Sequence, residues 1–170
     1  NQAVISGSTA DYALVLSNYK KAGDKWVEID VVGDEQNYEL KNQADNYVEN
    51  AIYDYSISSS KFSGTMVFDP QNNNLAGKAA VGDEVYQLPV VDNVYYEVQD
   101  VDRGENAVKV NGQWLYADED AVIYDYTDYF ADGDDPEYGS SIRTISKGDY
   151  IVYVGEKDEV ELFIIVTNIN

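Results

Sequence analysis

Residues Ala107 to Ala117 read AVKVNGQWLYA, two runs of alternating side chains around Asn111-Gly112. Asn-Gly tolerates positive φ at both central positions of a two-residue turn, the geometry whose twist matches a β-hairpin. Such a turn predicts Val110 opposite Gln113, Lys109 opposite Trp114, and Val108 opposite Leu115. With a side-chain period of two, this register puts Val108, Val110 and Leu115 on one face, and Lys109, Trp114 and Tyr116 on the other. The aliphatic face belongs to a core. The aromatic face is either a second core layer or an exposed platform.

The same period recurs elsewhere. Trp26 to Val32 (WVEIDVV) sets Val27, Ile29 and Val31 against Glu28 and Asp30. Tyr12 to Leu16 (YALVL) is a short apolar strand, and the Gly-containing, charged segment Lys20 to Lys25 reads as the turn between them. Gly33 to Glu35 turns the chain into Asn37 to Leu40, and Met66 to Phe68 is a further strand closed by Asp69-Pro70. Gln71 to Asn74 is the most loop-like stretch, and Pro89 marks Val85 to Val91 as a strand end or sheet edge. Val160 to Val166 (VELFIIV) is apolar on both faces, which predicts a central strand covered on both sides. Helical periodicity is weak, and Asn42 to Ala51 allows one or two turns at most. Sixteen Tyr and a single Met complete a β-rich composition.

Two segments repeat. AIYDYS (Ala51 to Ser56) returns as VIYDYT (Val122 to Thr127), and Gly82-Asp83 opens a strand as Gly148-Asp149 does. The expected fold is all-β: two tandem small antiparallel β-barrel or sandwich units related by internal duplication, residues 1–90 and 91–170. Units this small are marginal alone, so they are expected to share an interface. One continuous sandwich with swapped strands is the alternative.

The order of hairpin, Trp strand, acidic link, VIYDYT, KGDYIVYV, acidic turn and ELFIIV, over Ala107 to Val166, is similar to repeat modules of clostridial cell-surface proteins. Those modules accompany S-layer homology domains, which bind the wall. The resemblance implies an exported, Gram-positive surface protein in which this stretch is accessory, at the cell wall or S-layer. Any wall anchor would then lie in other, helical domains of the parent chain. Starting at Asn1, without an initiator Met or a basic-then-apolar leader, the chain reads as a mature or excised fragment.

Charge and missing residue types narrow the function. There are 32 acidic against 11 basic residues, net −21, which repels phosphate backbones and anionic lipids. Nucleic acid is therefore an unsuitable partner, and no apolar run approaches the ~20 residues of a membrane helix. Cations, another cell-surface protein with a basic patch, or a cell-wall polymer remain. The chain has no Cys and no His. Disulfides, thiolate nucleophiles and Ser–His pairs are excluded, which points away from catalysis. A carboxylate enzyme would need two acids ~5 to ~9 Å apart in a cleft, one with a raised pKa. No Asp or Glu lies in an apolar run of the kind that raises it.

Three candidate sites stand beside plainer readings. Asp128, Asp132, Asp134, Asp135 and Glu137, with Asp125, surround Gly133 in DYTDYFADGDDPE, an oxygen-rich loop suited to calcium, or simply a solvated loop of an acidic chain. Asp100 to Asn106 places oxygens at alternate positions without a closing acid, so a hairpin turn fits it better. Trp114, Tyr116 and Trp26, together with Tyr124, Tyr126 and Tyr129, could stack on sugar rings, or pack across strands. The leading expectation is a non-catalytic structural or interaction module. A carbohydrate-binding module, a calcium-stabilised adhesion module and a carboxylate enzyme are the alternatives.

Overall fold

A computed structural model describes residues 11–70, 86–87, 94–139 and 141–166. Five strands form the first lobe: β1 (Tyr12–Lys21), β2 (Asp24–Val31), β3 (Asp34–Leu40), β4 (Ile52–Ser58) and β5 (Lys61–Phe68). They close into a barrel in the order β1-β2-β3-β5-β4. Three hairpins supply most of the ladder, and a short parallel pairing, Glu39 with Lys61 and Leu40 with Phe62, joins β3 to β5.

The second lobe is one curled sheet of eight strands. These are β6 (Tyr86–Gln87), β7 (Val94–Glu97), β8 (Asp100–Asp102), β9 (Ala107–Val110), β10 (Gln113–Asp125), β11 (Glu137–Gly139), β12 (Tyr150–Glu156) and β13 (Glu159–Ile165). They run in the order β6-β7-β12-β13-β10-β9-β8, and β11 pairs with β10 off that path. The protein is thus nearly all β. The expected antiparallel rule has two exceptions, β3 with β5 and β10 with β13.

The Asn-Gly hairpin has the expected register, with φ of 49° at Asn111 and 76° at Gly112. Val108, Val110 and Leu115 are fully buried. Asp100 to Asn106 is the start of the β8–β9 hairpin. Strand β13 lies between β12 and β10, with Leu162 to Val166 buried without interruption.

Asn42 to Ala51 forms turns and no helix. Its polar side chains bond the local backbone instead: Gln43 Nε2 donates to Leu40 O, and Asn42 Oδ1 accepts from Ala44 N. Such bonds compete with helix formation, and Tyr47 pins the segment into the barrel. The helix α1 (Thr127–Asp132) forms in the acidic segment. Asp125 Oδ1 accepts from Thr127 N at 2.9 Å and Thr127 Oγ1 at 2.6 Å, and left-handed Gly133 ends the helix. Gln71 to Asn74, Gly82-Asp83, Pro89 and the division at residues 90 and 91 lie outside the described residues.

Strict alternation sorts the apolar side chains into three cores. Ala13, Val15, Val27, Ile29, Leu40, Tyr53 and Phe62 fill the barrel. Val108, Val110, Leu115, Ile123, Ile151, Tyr153, Phe163 and Ile165 fill the curl of the sheet. Between the lobes runs a seam core: Tyr12, Leu14, Ile52 and Phe68 from the barrel meet Val122, Tyr124, Tyr126, Val152, Leu162, Ile164 and Val166 from the sheet. YALVL and ELFIIV are apolar on both faces because each strand feeds two cores. The two IYDY copies face opposite ways: Tyr53 points into its own barrel, whereas Tyr124 points into the seam.

Candidate functional site

The turn between β2 and β3 is made by Val32 and Gly33, at φ of 47° and 89°. A β-branched residue at positive φ is an outlier that surrounding structure must hold in place. Here Tyr124, from β10 of the other lobe, does so: its hydroxyl donates to Asp30 O at 2.8 Å and accepts from Val32 N at 3.3 Å. A Cβ on Gly33 would lie 3.1 Å from the Tyr138 ring, so the turn backbone rests directly on that aromatic. Burial first, then the Asp30 carboxylate, drives the Tyr124 pKa up. The hydroxyl therefore keeps its proton and its bonds across the ordinary pH range.

Two further tyrosines cross the seam. The Tyr12 hydroxyl donates to Glu161 Oε1 at 2.8 Å, and the Tyr126 hydroxyl donates to Asn50 O. Burial, then the hydrogen bond and charge of Glu161, raises the Tyr12 pKa. Asp54, across β1–β4 from Tyr12, is raised by burial and then by the charges of Asp11 and Glu161. Burial within the fold, ahead of those distant charges, raises Asp54, and no apolar run in the sequence marked it.

Along this seam lies a cleft of about 440 Å³. Strand β10 makes one wall. It advances five residues from Ala117 to Val122 while its parallel neighbour β13 advances two, from Val160 to Leu162. The excess loops out as an acidic bulge, and Glu119 and Asp120 line the cleft with Ala121 and Val122. The opposite wall is the barrel: Asp11, Tyr12 and Tyr55, with Val31 and the half-exposed Val32. Tyr138 closes the end beside Gly33. Among the described residues, no Lys or Arg lines the cleft.

None of these cleft residues stood out as a site in the sequence. One sign was available: three acids, Asp118-Glu119-Asp120, interrupt an otherwise continuous β pattern, which is how a bulge reads.

The acidic segment chosen for calcium spans a helix, its exit and the start of a strand. Asp128 and Asp132 ride on α1, Asp134 and Asp135 follow its exit, and Glu137 begins β11; all are exposed. Among the described residues, no group of three or more Asp or Glu side chains is arranged to hold a metal ion.

The aromatic candidates also separate. Trp26 belongs to the barrel, stacked on Tyr19 (6.3 Å between centroids, 26°) with Lys21 Nζ 4.9 Å from its ring. Trp114 and Tyr116 belong to the sheet; Lys109 Nζ sits 5.9 Å from Trp114, and Tyr116 is 39% exposed. Tyr124 and Tyr126 are fully buried in the seam, which removes them as sugar-stacking surfaces, and Tyr129 packs edge-on against Tyr126. No family model matches the chain, and no curated protein matches it.

Proposed function

We propose that this chain is a rigid, non-catalytic structural and interaction module of an exported bacterial surface protein, of the kind that accompanies S-layer homology domains. The seam core carries the reading. Seven buried side chains of the sheet pack on the barrel, and three tyrosine hydroxyls tie the lobes across it. Lobes packed through a shared core and tied by side-chain hydrogen bonds suit a spacer or adhesive unit, which must hold position. Catalytic opening would need the reverse. The missing His and Cys point the same way. Asp54, the carboxylate raised at the seam, lies outside the residues lining the cleft.

The test of location is antibody labelling of the producing cells. Intact cells are expected to label; labelling only after lysis would remove the surface assignment.

Sugar stacking needs bare aromatic faces, and both Trp rings have a lysine over them, with Tyr19 on one. That arrangement favours cross-strand packing. For calcium, the exposed carboxylates of 128–137 act through general screening of a net charge of −21. Thermal melts in calcium and in magnesium at equal ionic strength are expected to coincide, both above the melt in EDTA. A rise with calcium alone, lost in Asp132→Asn/Asp134→Asn, would establish a specific site.

A further inference from the structure

We propose that the seam cleft is a receptor for a basic side chain, Lys or Arg, presented by a partner polypeptide. The proposal rests on the interaction-module reading and gives it a partner chemistry.

The lining of the cleft divides into parts that match the parts of such a side chain. Val31, Val32 and Val122 offer aliphatic surface to a methylene stem, which basic residues lay along apolar walls while the head stays wet. Val32 is the telling one: it is apolar and 46% exposed, held at positive φ on the cleft edge by Tyr124. Tyr55, its ring stacked on Phe62, and Tyr138, its ring against Gly33, complete the lining as fixed walls. Asp11, Glu119 and Asp120 add negative charge from both lobes, and among the described residues no lysine or arginine lines the cleft to neutralise it.

The spacing of the acids selects among cations. A bare divalent ion needs several oxygens converging at about 2.0 to 2.6 Å, and the described carboxylates do not converge in that way. An extended organic cation can engage acids set apart on facing walls. At net −21 the whole molecule also steers basic segments toward itself, so the cleft need only supply the local fit.

The experiment is fluorescence anisotropy with a labelled Ser-Arg-Gly-Lys-Ser peptide, beside the same peptide carrying citrulline and norleucine. Saturable binding is expected for the basic peptide alone. Glu119→Gln/Asp120→Asn is expected to weaken it at least about fivefold. Asp134→Asn/Asp135→Asn removes the same two charges away from the cleft and is expected to cost less than about twofold. All four positions are exposed, so both variants should melt like the parent.

Equal weakening by the two variants would reduce the effect to bulk acidity and overturn the proposal. No saturable binding, or equal binding of the uncharged peptide, would overturn it as well. Either failure leaves surface labelling and rigid-block behaviour untouched, so the module reading is judged separately.

Discussion

Removing every residue after Glu159 is expected to abolish cooperative folding, leaving a chain without near-UV circular dichroism or a sigmoidal melt. The deleted strand pairs on both edges, antiparallel with β12 and parallel with β10. Its side chains feed two cores: Leu162, Ile164 and Val166 enter the seam, while Val160, Phe163 and Ile165 enter the curl of the sheet. Six residues no more than 2% exposed are lost. At about 1.5 to 3 kcal/mol each, their burial amounts to about 9 to 18 kcal/mol. A domain's whole stability is only about 5 to 15 kcal/mol. The truncation also opens two strand edges in the middle of a sheet, and such edges recruit other chains. Soluble aggregates, or a molten species that binds hydrophobic dyes, are the expected product. A truncated protein with the parent's melt would show that β13 is dispensable.

That strand was legible from its own letters because a strand covered on both faces needs no distant information: every position is apolar. The Asn-Gly hairpin was legible for a related reason, since its turn fixes its register locally. What stayed hidden depends on residues far apart in sequence. Closure of the barrel rests on Leu40 pairing with Phe62, a two-residue parallel contact with no pattern of its own. The facing of the IYDY copies was equally unreadable, because Ile52-Tyr53 and Ile123-Tyr124 have identical local sequence and opposite orientation. The acidic segment hid α1 because its closely spaced Asp residues around Gly133 read as a loop. The helix is set instead by Asp125 Oδ1 accepting from Thr127 N and by Tyr129, on the helix, packing against buried Tyr126. The cleft was out of reach for the same reason as the seam: its walls, Asp11 and Tyr55 against Glu119 and Asp120, come from different lobes, far apart in sequence.

Substituting Tyr124 tests whether the seam binds the two lobes into one thermodynamic unit. Tyr124→Phe keeps the ring and removes the hydroxyl, so Asp30 O loses a donor and Val32 N an acceptor. Both bonds are part-buried and Val32 is 46% exposed, so their loss costs about 1 kcal/mol, and the strained Val32 turn loses one of its restraints. Tyr124→Ala also empties the ring's place against Tyr138 and Leu162's cluster, where aromatic-to-alanine changes cost about 3 to 5 kcal/mol. The two tryptophans make the readout specific, because Trp26 reports on the barrel and Trp114 on the sheet. Guanidinium unfolding of Trp26→Phe and Trp114→Phe backgrounds therefore follows each lobe by itself. Coincident transitions are expected in the parent, as two-state behaviour demands. Both are expected to move to lower denaturant together in Tyr124→Ala, by the full 3 to 5 kcal/mol or so. Movement of the Trp114 transition alone would mean that the lobes fold independently and that the seam is mere contact. The rigid-block reading would then fall, and so would the cleft as a preformed receptor, since its two walls would no longer be held in register.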